Sequence, residues 1–80
     1  MAKHVRIYTT PMCGYCMAAK RMLAEKGIAF EETNLAGDPE LRAKISTEAG
    51  GWSTVPMIFV DDQFIGGFTD LVAFDKEHGL

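Results

Sequence analysis

The chain has 80 residues, 48% of them hydrophobic and 24% charged, with a formal net charge of −3. Such a length supports one small domain, residues 1–80, with a modest stability margin, and the composition excludes a disordered or low-complexity chain. The acidic balance, without a basic run interleaved with aromatics, excludes nucleic acid as a partner, and the longest apolar run, residues 55–60, is far too short to cross a membrane.

Residues 1–8 carry Lys3, His4 and Arg6, but no apolar stretch of signal-peptide length follows, so the expected compartment is the cytoplasm. Residues 5–8 alternate and are rich in β-formers, which predicts a first strand. Thr9-Thr10-Pro11-Met12 is a turn. From Cys13 the period becomes helical: Met17, Ala18 and Met22, with Leu23 beside them, form an apolar stripe, and Lys20, Arg21, Glu25 and Lys26 lie off it. Gly27 suits the end of this helix, with Lys26 in its last turn. Residues 28–33 put Ile28 and Phe30 on one face of a second strand, and residues 34–37 form a loop. Asp38 reads as an N-cap and Pro39 as the first helical residue. Leu41 and Ile45, four apart, belong to a helix ending near Ala49-Gly50-Gly51. Residues 57–60 are a strongly apolar strand, Asp61-Asp62 a turn, and residues 63–65 a short returning strand broken by Gly66-Gly67. Thr69 or Asp70 can cap a last helix whose inner face holds Leu71, Val72 and Phe74 and which ends at His78-Gly79.

The predicted order is β-α-β-α-β-β-α, an α/β arrangement without internal repeat or linker. Its first β-α-β unit is expected to be parallel with a right-handed crossover, and its last two strands an antiparallel hairpin. Charge is unevenly spread along it: residues 1–30 carry +4 and residues 31–80 carry −7. The positive end surrounds the cysteines in sequence. It is either a set of solvated faces or a local field that favours a thiolate and an anionic partner.

There are two cysteines, spaced Cys13-Gly14-Tyr15-Cys16. A small fold stapled by disulfides needs more of them, and a structural zinc site usually takes four ligands. The only other soft ligands, His4 and His78, stand near opposite ends and are assigned no role, so no metal site is expected. A c-type haem site needs His after the second Cys, where this chain has Met17. A redox pair remains. It lies between a strand end and a helix start, where unpaired N–H groups and the positive end of the helix dipole stabilise a thiolate. Such a site lowers a thiol from its ordinary pKa of ~8.5. Cys13, at the tip, is the candidate nucleophile. Cys16, one turn further in, is placed to resolve a mixed disulfide on Cys13.

The segment Ile7-Tyr8-Thr9-Thr10-Pro11-Met12-Cys13-Gly14-Tyr15-Cys16 resembles the opening strand and active site of glutaredoxins. Thr54-Val55-Pro56 resembles their Thr-Val-Pro segment, and Gly66-Gly67-Phe68-Thr69-Asp70-Leu71 their Gly-Gly turn and following acidic residue. Three motifs in order are far more specific than Cys-x-x-Cys alone, and the likeness covers essentially the whole chain. The resemblance implies a thioredoxin-like fold, a four-stranded mixed sheet flanked by three helices, with Pro56 cis. It implies glutathione as co-substrate, and protein disulfides and glutathionylated proteins as partners. Cys13 would take glutathione from a mixed disulfide, and Cys16 would complete a dithiol cycle. The Val55 main chain would pair with the tripeptide as a short added strand. Gly67, Phe68, Thr69 and Asp70 would hold its γ-glutamyl end, with N–H groups on the carboxylate and Asp70 on the ammonium. Thr54 belongs to the same binding segment, and Tyr15 would flank the ligand.

Three positions depart from the family pattern. Thr10 stands where many members carry Lys for the glycine carboxylate of glutathione, and Arg42, Lys44 and Lys20 are the substitutes the sequence offers. Gly14 stands where many dithiol members have Pro. Trp52 stands where some relatives place a basic residue, and it reads either as packing or as an edge of the site. Two other functions stay open. Some glutaredoxins hold a [2Fe–2S] cluster between two protomers through the first active-site Cys, here Cys13, and glutathione; Gly14 favours this and Cys16 opposes it. A donor reduced by thioredoxin reductase is the other, against which the 67–70 segment argues. A monomer is expected, or a dimer if a cluster is bound. Tyr8 and Phe30 read as core and the methionines as core filler, except Met12, which adjoins Cys13 and can line the cleft.

Overall fold

The computed structural model describes residues 4–80. Lys3, one of the basic residues read from the sequence, lies outside them. The elements run β1 (Val5–Thr9), α1 (Gly14–Glu25), β2 (Phe30–Asn34), α2 (Pro39–Glu48), β3 (Met57–Val60), β4 (Gln63–Gly66) and α3 (Phe68–His78). They form one mixed sheet in the order β2-β1-β3-β4. β1 and β2 are parallel, while β1 with β3 and β3 with β4 are antiparallel. This is the thioredoxin-like arrangement the resemblance implied.

Strand alternation sorts the core into two layers. On one face Val5, Ile7, Ile58 and Val60 pack with Ala19 and Leu23 of α1 and Leu71 of α3. On the other, Tyr8, Met57 and Phe59 pack with Ile45 and Ala49 near the end of α2. The helix ends follow local chemistry. Asp38 accepts the Leu41 N–H at 3.0 Å, and Pro39 opens α2. Past α1, Gly27 takes φ +70°, which glycine adopts without a Cβ penalty. Its N–H reaches the Ala24 carbonyl at 3.0 Å, and the Ile28 N–H the Leu23 carbonyl at 2.9 Å. These two bonds are a Schellman stop.

Three details differ from the expectation. The buried face of α1 is Cys16, Ala19 and Leu23, while Met17 is 58% exposed. Turning the helix so that Cys16 sits under Cys13 carries Met17 outward, one hundred degrees round the helix. The second strand starts at Phe30, because Ile28 is spent on the Schellman stop. Gly67, not Thr69 or Asp70, is the N-cap of α3. No helix among the described residues is long and apolar enough to cross a membrane.

Candidate active site

β1 delivers the chain to the site, and its last residue, Thr9, is buried. Pro11 and Met12 then reverse direction, with Met12 fully exposed at φ +59°. Cys13 follows as the N-cap of α1 in extended conformation. In place of the usual oxygen cap, its Sγ accepts the Cys16 N–H at 3.1 Å. That N–H and the helix start point positive charge at sulfur. The two cysteines are joined as a disulfide. Cys13 is half-buried, whereas Cys16 is 1% exposed. An attacking reagent therefore meets Cys13 first, and Cys16 can reach only its neighbour.

The cis Val55–Pro56 bond brings a second segment against the sulfur. The Val55 carbonyl oxygen lies 3.8 Å from Cys13 Sγ. From that point a cleft of about 480 Å³ opens. It is lined by Tyr15, Thr54, Val55 and Pro56 and by Gly67, Phe68, Thr69 and Asp70 at the start of α3. Every residue expected to bind glutathione, the cysteines apart, therefore lines one depression, and Cys13 Sγ lies against its Val55 wall. Trp52 lines it as well. The sequence signal for Trp52 was only its position two residues before Thr54.

Packing fixes the walls. Tyr15 stacks on Phe68 with ring centroids 6.3 Å apart, tying the start of α1 to the start of α3. Asp70 Oδ2 accepts the Gly67 N–H at 2.9 Å, so the acidic residue caps α3 and lines the cleft at once. Gly66, just before, sits beside a bulge of the β3–β4 ladder with φ +123°. A larger depression of about 560 Å³ between β4 and α3 shares Asp70 with the cleft but includes neither Val55 nor Pro56 beside the cysteines.

The basic residues around the cysteines are mostly engaged elsewhere. Arg6 contacts Asp62 at 3.4 Å, Lys20 contacts Glu32 at 2.9 Å and Lys26 contacts Asp75 at 2.8 Å. These pairs favour solvated, neutralised faces over a strong field on Cys13. Lys20 hydrogen bonds, then Thr9, hold the Glu32 carboxyl below its ordinary range. The Lys26 hydrogen bond does the same for Asp75. Of the three substitutes for the missing Lys at position 10, Lys20 is thus held by Glu32. Arg42 donates to the Ser53 carbonyl at 3.2 Å, next to Thr54 of the cleft.

A Cys pair at a helix start beside a cis-Pro loop is a dithiol exchange centre, and comparison with known proteins assigns its family. The sequence model of the glutaredoxin family matches residues 5–65. The chain belongs to the glutaredoxin family. It is a thiol–disulfide oxidoreductase by that membership. It is 44% identical to the glutaredoxin of Pseudomonas aeruginosa over 72 residues, 90% of this chain and 84% of that one. The crystal structure of glutaredoxin 1 from Francisella tularensis, complexed with cacodylate, superposes with a TM-score of 0.78 at 42% identity, covering 95% of each chain. A buckwheat glutaredoxin–glutathione complex shares the fold, with a TM-score of 0.85 at 22% identity, over 95% of this chain and 71% of that one.

Proposed function

We propose that the chain is a glutathione-dependent oxidoreductase that reduces protein–glutathione mixed disulfides and protein disulfides in the cytoplasm. The observation that carries this reading is the placement of Cys13 Sγ against Val55, which lines one cleft together with the start of α3. The Val55 main chain makes no hydrogen bond to other main chain among the described residues. It is free to pair with an extended tripeptide. At the start of α3, the first-turn N–H groups suit the γ-glutamyl carboxylate. Asp70 suits the ammonium beside it.

In the first step the Cys13 thiolate attacks the glutathione sulfur of the mixed disulfide. A Cys13–glutathione bond forms, the old S–S bond breaks, and the protein thiolate leaves and takes a proton. A second glutathione thiolate then attacks the bound glutathione sulfur. It releases oxidised glutathione and restores Cys13, so one free glutathione is consumed for each mixed disulfide reduced, the other half of the oxidised product coming from the substrate. With a protein disulfide, Cys13 forms a mixed disulfide with one substrate sulfur. Cys16 then attacks Cys13 Sγ and expels the reduced protein, leaving the Cys13–Cys16 disulfide present here. Two glutathiones return that disulfide to the dithiol.

Reduction of a small glutathione mixed disulfide, coupled to glutathione reductase and NADPH, tests this. Turnover is expected to vanish in Cys13→Ser and survive in Cys16→Ser. Cys16→Ser is expected to lose reduction of a protein disulfide. No turnover by the unaltered chain overturns the reading, and the opposite pattern in the two variants reverses the roles.

A further inference from the structure

The chain has one tryptophan, and it lines the cleft beside Gly67, in the segment read above as the γ-glutamyl site. The Trp52 indole packs edge-on to Phe64, with ring centroids 5.3 Å apart and planes at 63°. The residue remains 36% exposed. On its cleft side, Cζ2 lies 3.9 Å from where a Cβ on Gly67 would stand. The N–H of that same Gly67 donates to Asp70 Oδ2 at 2.9 Å. Indole and carboxylate therefore both stand beside Gly67. The segment that bears Trp52 is fastened to α2. Ser46 Oγ donates to the Trp52 carbonyl at 2.6 Å, and Arg42 donates to the Ser53 carbonyl at 3.2 Å. An indole face is electron-rich and attracts cations more strongly than any other aromatic side chain. A pinned indole and a carboxylate that flank one glycine and line one cleft make a two-part receptor for an ammonium group.

We infer that Trp52 binds the α-ammonium of the γ-glutamyl moiety through a cation–π contact, sharing it with Asp70. The cleft thereby selects γ-glutamyl thiols whose α-amino group is free and charged. This inference rests on the glutathione reading above and names a recognition residue for it. The test compares the unaltered chain with Trp52→Phe and Trp52→Leu on two mixed disulfides of one small thiol. One carries glutathione. The other carries glutaryl-cysteinyl-glycine, which keeps both carboxylates and lacks only the amino group. For the glutathione substrate, Trp52→Leu is expected to raise KM about three- to tenfold. kcat should stay unchanged, and Trp52→Phe should fall between. For the glutaryl substrate the three proteins should agree, which also shows that the variants fold. Equal losses on both substrates would make Trp52 an apolar wall and overturn the inference. Normal KM values in both variants overturn it too, while leaving glutathione chemistry intact. Absence of turnover by the unaltered chain on the glutathione substrate sinks the glutathione reading and this inference together.

Discussion

Gly66 couples the sheet to the cleft, and Gly66→Ala measures that coupling. Its φ of +123° lies where an L side chain is strained, and a Cβ there would overlap the Asp70 carboxylate. Backbone strain of this kind costs about 1–3 kcal/mol. To clear the new methyl, Asp70 must swing away and give up the Gly67 N–H. Losing such a helix cap costs about 0.5–2 kcal/mol. The variant should therefore lose roughly 1.5–5 kcal/mol, a large part of the ~4–12 kcal/mol expected for 80 residues. Asp70→Ala alone loses only the cap, about 0.5–2 kcal/mol. Because Gly66→Ala has already forfeited that bond, adding Asp70→Ala should take away nothing more. Urea titrations of all four proteins, followed by circular dichroism, supply the cycle. With an m-value near ~1 kcal/mol/M, the midpoint of Gly66→Ala should fall by roughly 1.5 M or more. A double variant that loses the sum of the two singles would refute the shared-bond argument. So would a Gly66→Ala variant within about 0.5 kcal/mol of the parent.

Other expectations follow from the core and from the surface ion pairs. Leu23 is fully buried between the sheet and α3, so Leu23→Ala should cost about 2–5 kcal/mol. At roughly 4–8 °C per kcal/mol the thermal midpoint should drop by about 10 °C or more, and an unchanged midpoint would contradict the packing described. Glu32 and Asp75 titrate below their ordinary values of 4.5 and 3.8 in the folded chain, held there by Lys20 and Lys26. A depressed carboxylate stabilises the fold above its unfolded pKa, and that contribution is lost as pH falls through the folded one. Stability should therefore decline below about pH 4.5, with Asp75 adding to the loss below 3.8. Combining Glu32→Gln with Asp75→Asn should flatten this acid limb. An acid limb identical in the double variant would show that other groups cause it.

The parts of the fold legible in the sequence are those set by neighbours in the chain. Asp38-Pro39 starts a helix because a carboxylate and a fixed φ act on the next turn. The Asp61-Asp62 turn carries φ values of +51° and +67°, which a hairpin joined by two residues demands. Cys13 was placed at a helix start by the same local logic, and the structure adds the Cys16 N–H that caps its sulfur. At Met17 the apolar stripe and the buried face of α1 part. Hydrophobicity alone chose the stripe, and methionine tolerates exposure beside a reactive site.

By itself the sequence determined the redox pair, the order of elements and the motifs that line the cleft, because each is written within a few consecutive residues. Only the tertiary structure decided how charge and space are shared among them. Lys20 meets Glu32 and Lys26 meets Asp75 across the fold, so the basic surplus near the cysteines is largely neutralised by distant carboxylates. Trp52 reaches the cleft because Ser46 and Arg42 fasten its loop to α2 and Phe64 supports its ring. Asp70 becomes both cap and cleft wall because Gly66, beside the β3–β4 bulge, has no Cβ to stand in its way. These outcomes depend on contacts between residues far apart in the chain, which no local pattern of residue types encodes.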